Sequence, residues 1–296
     1  MTGISVIVRK EISDVISNRT FLLAVGILMF SMVLAGIVSG DTYFKTQVTR
    51  TNPASWKLVI IENLTPTIRV LGALVALAFS FNSINKERTE GSLKVLLSYP
   101  IYRDKIILGK IIAGLIVISV VTVASMAVAF SLYFFITSIA LTMDWALRLV
   151  AAMLLAILLL CGYLGLGMFL SITFRDPKTT LLVAFLFLGL FNSETFFSIG
   201  QILSKAVYGP DLLTSGVVSL NPQASALRDF ISALNPSWSF TWISLNLSWY
   251  LNLGIDMPNS LWNVIVDHMT YIAVLIIIPV ITFAASYALF TRRDVT

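Results

Sequence analysis

Chemically reactive side chains are scarce in this sequence, and their spacing does not form a catalytic set. The chain has one cysteine, Cys161, and one histidine, His268, among 296 residues. These two cannot build a Cys/His metal site, which needs about four ligands. The phosphate-binding pattern G-x-x-x-x-G-K-[ST] is absent, because Gly109-Lys110 lacks the preceding glycine and is followed by Ile111. We expect neither a metal centre nor ATP hydrolysis from this chain.

One loop carries charged and turn-forming residues around a short amphipathic segment. Gly91 interrupts the first helical run, residues 92–98 place three leucines on one face, and Pro100 ends the segment. Such a helix, lying across the membrane surface, can dock a cytoplasmic partner. The alternative is an interfacial helix that only shields the bundle. The candidate docking residues are Glu87, Arg88, Glu90, Gly91, Leu93, Leu97, Pro100, Arg103 and Lys105.

A second group of candidates lies in or beside the long stretch 198–268, which is rich in tryptophan and tyrosine. These side chains favour the membrane interface, so we expect short helices that lie against the outer leaflet or dip into it. Trp238, Trp242 and Glu194 are the candidates for substrate contact from the outer side. The alternative is an interfacial cap. Glu194 lies about 24 Å along a helix from Lys178, near the outer interface.

Six apolar stretches must position these residues. Hydrophobic residues make up 57% of the chain and charged residues only 12%, against about 25% charged in soluble domains. The gaps between charges accommodate helices of about 20 residues. We therefore predict an all-α polytopic membrane protein with one transmembrane domain over 1–296. It comprises an amphipathic helix at 4–19, spans at 20–39, 67–85, 106–136, 149–174, 179–197 and 269–291, a cytoplasmic loop at 86–105 and a helical extracellular region at 198–268.

Two details of this organisation have more than one interpretation. The apolar residues Ile4, Val8, Ile12, Val15 and Ile16 recur at helical spacing, which predicts an amphipathic helix in the cytoplasmic interface. The alternative is an extension of the first span. The fourth span contains three small residues that allow close helix approach, either for packing or for gating. These residues are Gly162, Gly165 and Gly167.

The distribution of basic residues predicts the orientation. The N-terminus, the 85–110 loop, the 174–178 loop and the C-terminal tail hold 13 of the 20 Lys and Arg residues, and the longer loops of the other side hold the remaining seven. Basic residues are enriched in cytoplasmic loops. We therefore expect both termini in the cytoplasm, in the plasma membrane.

The stretch 86–110 resembles the ABC-2 type permeases, which are membrane subunits of one class of ABC transporters. The matching positions are Glu87, Arg88, Gly91, Ser92, Leu93, Leu96, Leu97, Ser98, Pro100, Arg103, Lys105, Gly109 and Lys110. The chain is most similar to permeases without a fused ATPase, a group that includes the maturation permease of nitrous-oxide reductase. The resemblance implies an elbow helix before span one and a coupling helix within 87–105, seated in a groove of a separate ATPase subunit.

The leading hypothesis is therefore a permease subunit, working as a homodimer in membrane lipid, with ATP and Mg bound by the partner ATPase. It would need no cofactor of its own and no nucleic acid. Charge-poor spans favour an amphipathic substrate over a small ion. A secondary transporter would place ionisable residues in mid-span, and a membrane-embedded enzyme needs a catalytic constellation; the predicted spans contain neither. A non-transporting assembly or sensor protein remains an alternative.

Overall fold

The computed structural model describes residues 3–49, 58–81, 103–174, 176–192, 195–208, 212–214, 217–219, 222–248 and 260–292. The helices are α1 Gly3–Ser17, α2 Arg19–Thr49, α3 Val59–Thr67, α4 Ala73–Ser80, α5 Arg103–Thr137, α6 Met143–Thr173, α7 Pro177–Asn192, α8 Thr195–Tyr208, α9 Pro222–Ala233, α10 Pro236–Ser248, α11 Leu261–Asp267 and α12 Met269–Arg292. A π-helical turn, Ile68–Gly72, joins α3 to α4. Strands β1 Leu212–Thr214 and β2 Val217–Ser219 form an antiparallel hairpin between α8 and α9.

The prediction of a helical, multi-pass membrane protein is confirmed at this level. Within the described ranges, five helical segments are long and apolar enough to cross a bilayer. They are Arg19–Lys45, Val59–Ser80, Asp104–Thr137, Met143–Thr173 and Met269–Arg292. The helices α7 and α8 make a sixth only if they count as one span, and their axes differ by 53°.

The helical segment that contains Arg69 starts before the predicted second span. It begins at Val59, eight residues before the predicted start at 67, and runs through the π-helical turn. The residues before 67 are interior: Leu58 is 1% exposed and Ile60 is 0% exposed. The backbone N–H of Leu58 donates to the carbonyl of Ser248 at 2.9 Å, at the end of α10. The sequence prediction began the span at 67 because a charge such as Arg69 is expected at the end of a span rather than within it.

Polar side chains mark where helices begin. The Asn18 side-chain oxygen accepts a hydrogen bond from the backbone N–H of Thr20 at 3.1 Å, at the start of α2. The Asp176 carboxylate accepts from the hydroxyl and the backbone N–H of Thr179, at 3.0 and 3.2 Å, at the start of α7. Both satisfy backbone donors that the first helical turn leaves free. The hydrogen bond from the Thr179 hydroxyl is the main reason that the pKa of Asp176 lies below its ordinary value.

The central helix is α6, which contacts α4, α5, α7, α10 and α12. Its small residues lie at these contacts. A Cβ at Gly167 would collide with the hydroxyl of Ser80 on α4, and one at Gly165 would collide with the hydroxyl of Thr282 on α12. At Gly162 a Cβ would meet only ordinary contacts, 3.5 Å or more from its neighbours. The backbones therefore approach closely at two of the three glycines.

The helix α10 lies inside the bundle, where it contacts α3, α6 and α12. It starts after a short turn at Asn235, whose side-chain oxygen accepts from the backbone N–H of Ser237 at 3.0 Å. Its buried residues include Phe240, Ile243 and Leu247. Part of the stretch predicted to lie against the outer leaflet or to dip into it thus packs against α3, α6 and α12. The hydroxyls of Ser237, Ser239 and Ser248 form hydrogen bonds there, which lowers the cost of burying these polar side chains.

Interhelical contacts define two ends of the bundle. The helix α1 packs on α5, and a Cβ at Gly114 in the first third of α5 would touch Phe79 near the end of α4 and Leu164 in the second half of α6. We call this the α1 end. Leu58 and Ser248, which bond to each other, lie at the opposite end. We call that the far end.

Candidate functional site

Most of the predicted docking residues lie outside the described part of the chain. These are Glu87, Arg88, Glu90, Gly91, Leu93, Leu97 and Pro100. The two that are described, Arg103 and Lys105, lie in the first turn of α5, so the loop leads directly into this helix. Lys105 is half-buried. The residues next to these positions can therefore be analysed even though the loop itself cannot.

A buried ion pair joins α1 to α5 just after this turn. The Lys110 amine donates to a Glu11 carboxylate oxygen at 2.7 Å, with the two side chains 3% and 13% exposed. One residue earlier, Gly109 packs against Ile7, and a Cβ at Gly109 would lie 2.7 Å from the Ile7 Cγ2 atom. Ile7 and Glu11 are one helical turn apart, on the same face of α1. We call Ile7, Glu11, Gly109 and Lys110 the α1–α5 joint.

In the α1–α5 joint, the residues that α1 contributes are not those of the predicted apolar stripe. Ile7, the residue that α1 buries most deeply, is 7% exposed and falls outside the predicted apolar stripe. Residues of that stripe, Ile4, Val8 and Ile12, line an open groove with Ile112 of α5. The stripe thus borders α5 while Ile7 and Glu11 hold the helix in place. Breaking a buried ion pair by removing one partner costs about 3–5 kcal/mol.

The aromatic candidates, Trp238 and Trp242 on α10, lie beside the start of α8. Trp238 stacks on Phe197 with ring centroids 5.0 Å apart, and Trp242 stacks on Trp238 at 6.2 Å. The Arg228 guanidinium lies 5.5 Å from the centre of the Phe197 ring. Trp242 is 43% exposed. The structure therefore brings Trp238 and Trp242 together, while Glu194 lies outside the described residues.

Polar groups line the face of α10 that meets α3 and α6. The hydroxyls of Tyr163 and Ser237 are 2.7 Å apart. Arg69 Nη1 donates to the Thr241 hydroxyl at 3.1 Å. The Ser244 hydroxyl is buried and has no hydrogen-bond partner among the described residues. Ser237, Thr241 and Ser244 follow at spacings of four and three, so they share one helical face.

At the far end, Arg148 of α6 forms an ion pair within its own helix and a hydrogen bond to α10. The Nε atom of Arg148 donates to the Asp144 carboxylate at 2.8 Å, and its Nη1 donates to the Leu247 carbonyl at 3.2 Å. The Arg148 side chain is 1% exposed. The Asp144 carboxylate therefore neutralises the charge of Arg148, and the Leu247 carbonyl accepts a further hydrogen bond from its guanidinium. This arrangement fits a structural role.

Sequence reasoning missed two parts of this geometry. Arg69 was assigned to a span end, although the apolar run before it was a signal that the span starts earlier. The Lys110–Glu11 pair gave no local signal, since 99 residues separate its members. The position of Arg69 also weakens the sequence argument against a secondary transporter, which relied on spans without charges. That distinction now depends on the relatives of the chain.

Comparisons with known proteins identify such relatives. A sequence profile described as ABC-2 family transporter protein matches residues 5–295. The chain is 35% identical over 104 residues to the probable ABC transporter permease protein NosY of Pseudomonas aeruginosa, and 36% identical over 104 residues to the protein of the same name from Stutzerimonas stutzeri. Each alignment covers 35% of this chain and 35% of the relative. The matched region thus spans about a third of these relatives.

Proposed function

Because the chain belongs to the ABC-2 family of transporter proteins, we propose that it is a permease subunit that moves its substrate with ATP hydrolysed by a separate ATPase subunit. The ATPase docks on the 86–105 loop, and ATP and Mg bind to that subunit. Two copies of the permease form the pathway. The protein acts in the plasma membrane with its α1 end in the cytoplasm.

The observation that carries this proposal is the α1–α5 joint. The docking loop leads into α5, and seven residues after Arg103 the buried Lys110–Glu11 pair fastens α1 to that helix. A push on the loop therefore acts on α5 and α1 together. Packed helices joined in this way transmit force as a rigid body.

Force applied to the 86–105 loop can also be transmitted to α2. A Cβ at Gly36 of α2 would lie 2.9 Å from the Ala129 carbonyl oxygen of α5, so the two backbones nearly touch. The 35 residues of α5 span about 52 Å at 1.5 Å per residue, well beyond the roughly 30 Å hydrocarbon core. Force applied at the α1 end of α5 is thereby carried along the whole width of the membrane. The helices α1, α2 and α5 would move as one unit.

The charges at the α1 end support the proposed orientation. The described basic residues at this end are Arg9, Lys10, Arg19, Arg103, Lys105, Lys110, Lys178 and Arg292. A cytoplasmic position follows from the enrichment of Lys and Arg in cytoplasmic segments. Labelling a cysteine introduced at Arg292 from outside intact cells would contradict this orientation, whereas labelling only after permeabilisation is expected.

The docking assignment is tested by co-purification with the cognate ATPase and by ATP turnover in lipid nanodiscs. Glu87→Ala and Gly91→Val should lower both the amount of bound ATPase and the turnover. Gly26→Val is the matched glycine control, because a Cβ there has no atom within 4 Å, and it should change neither quantity. If the two loop variants leave complex formation and turnover intact, the loop does not dock the ATPase.

A further inference from the structure

Arg69 is a cation in the middle of a helical segment that is long and apolar enough to span a membrane. It is the eleventh of the 22 residues of Val59–Ser80, so about 15 Å of helix lies on each side of it. An arginine at the centre of a span costs about 2.5–3.5 kcal/mol on insertion scales. Such residues mark functional sites by default. The question is what compensates this charge.

The described part of the protein compensates only one edge of the guanidinium. Nη1 donates to the Thr241 hydroxyl at 3.1 Å, and that hydroxyl in turn donates to the Ser237 carbonyl at 2.8 Å. The Nε atom is buried and has no hydrogen-bond partner among the described residues. No carboxylate in those ranges forms an ion pair with Arg69. The Nε/Nη2 edge therefore has no acceptor among the described residues, and because Nε is buried an anion reaches it only when neighbouring side chains move.

This edge has the geometry that anionic oxygens need. Two parallel N–H groups of a guanidinium bind a carboxylate or phosphate through two hydrogen bonds. The Ser244 hydroxyl, one turn beyond Thr241 on the same face of α10, is a further buried group without a partner in the described structure. Thr241 thus contacts Arg69 and shares a helical face with Ser244. An anion beside Arg69 would satisfy the guanidinium and bring an acceptor close to this hydroxyl.

The local backbone and exposure fit a ligand that arrives from the bilayer. Arg69 lies in the π-helical turn Ile68–Gly72, and π turns within α-helices are frequent at functional sites. Arg69 is half-buried, and its neighbour Val70 is 38% exposed. An apolar chain can therefore lie outside the helices while its charged group reaches the guanidinium.

We propose that Arg69, with Thr241 and Ser244, binds the anionic oxygen group of an amphiphile between the α3–α4 span and α10. This proposal rests on the proposed transport function and names the substrate class: an apolar chain with a carboxylate, sulfate or phosphate head. The head group takes the Nε/Nη2 edge of Arg69. The chain extends along the exposed surface beside Val70.

The test is a binding experiment that needs neither nucleotide nor ATPase. The full chain is placed in phosphatidylcholine nanodiscs, and the immobilised fraction of a nitroxide-labelled stearate is compared with that of its methyl ester. Wild-type protein should bind the carboxylate at least about tenfold more tightly than the ester. Equal binding of the two probes would overturn the proposal. Failure of ATPase docking would leave this result unchanged, so the two proposals fail separately.

Variants assign the preference to the guanidinium. Arg69→Gln should reduce the preference to about one, and Arg69→Lys should keep part of it because lysine retains the charge without the planar fork. Lys45→Gln is the matched control, since it removes a cation whose side chain is 76% exposed, and it should keep the full preference. A preference that survives Arg69→Gln contradicts the assignment.

A measurement on the wild-type protein covers the case in which Arg69→Gln does not fold. A stearate carrying a diazirine near its carboxyl group should label peptides from Val59–Ser80 and from α10, and the neutral ester should label them several-fold less. Labelling confined to other helices would overturn the proposal. Thr241→Val and Ser244→Ala keep the cation and should each lower the preference by a few-fold.

Discussion

Lys110 and Arg69 are both cations within the helical bundle, but their surroundings differ. Lys110 meets the Glu11 carboxylate at 2.7 Å, and the pair joins two helices. Arg69 meets one neutral hydroxyl, at 3.1 Å, and no carboxylate among the described residues. A compensated charge holds helices in one arrangement, whereas an uncompensated one favours any state in which an anion is present. The first region is thus suited to transmit force and the second to recognise a ligand.

The largest expected effect tests the compensated side of this comparison. Lys110→Met leaves the Glu11 carboxylate without its buried partner and should lower the free energy of unfolding by about 3–5 kcal/mol. The double variant Glu11→Leu with Lys110→Met removes both charges and should recover most of that loss. Unfolding in detergent by stepwise addition of a denaturing surfactant measures both. A single variant as stable as the wild type would mean that the pair does not fasten α1.

The second largest change in the free energy of unfolding is expected at the contact between Gly109 and Ile7. Gly109→Leu places a side chain where Ile7 now lies and should cost about 1–3 kcal/mol, as overpacking does. Gly26→Leu is the control at an open position, because nothing lies within 4 Å of its Cβ, and its effect should be close to zero. The same unfolding titration separates the two. Equal effects would show that helix propensity and not contact with α1 is responsible.

Arg69 should give an effect of the opposite sign. Arg69→Leu removes a charge that costs about 2.5–3.5 kcal/mol in mid-span and loses one hydrogen bond, worth about 1 kcal/mol. We therefore expect the unfolding free energy to rise by about 1.5–2.5 kcal/mol while the carboxylate preference is lost. A functional residue kept at a cost in stability behaves in this way. A clear loss of stability would indicate that Arg69 is fully compensated in the native state.

Trp242 should give the smallest effect. It stacks on Trp238 but is 43% exposed, so Trp242→Ala should lower stability by less than about 1 kcal/mol. The preference for the stearate over its ester should stay at the wild-type value, since the charge on Arg69 is unchanged. Loss of this preference would indicate that the anion binds beside Trp238 and Trp242 and not beside Arg69.

The sequence predicted the features that depend on local composition. Long uncharged gaps located the apolar helices, because a charge within a span is costly wherever it occurs. The same rule misplaced the start of the second span, since it treated Arg69 as a boundary. The rule could not recognise that a hydroxyl of α10, 172 residues away, lies beside that guanidinium.

The buried position of α10 was also beyond local reasoning. The tryptophan and tyrosine residues of the stretch 198–268 predicted a position at the membrane interface. In the structure, polar side chains of α10 are buried with partners on other helices: the hydroxyl oxygens of Ser237 and Tyr163 are 2.7 Å apart. Which polar residues find partners depends on how distant helices pack. The predicted docking residues from Glu87 to Pro100 lie outside the described ranges and stay predictions.

The distance along the chain between Glu11 and Lys110 has a consequence during biosynthesis. Their 99-residue separation takes a ribosome about 5–20 s to translate, at roughly 5–20 residues per second. Throughout that interval α5, on which α1 packs, has not yet been synthesised. Glu11 and the apolar residues of α1 therefore lie at the membrane surface without their partners. The joint can close only after α5 has been inserted. Docking of α1 is therefore a late step that follows insertion of the first half of the protein.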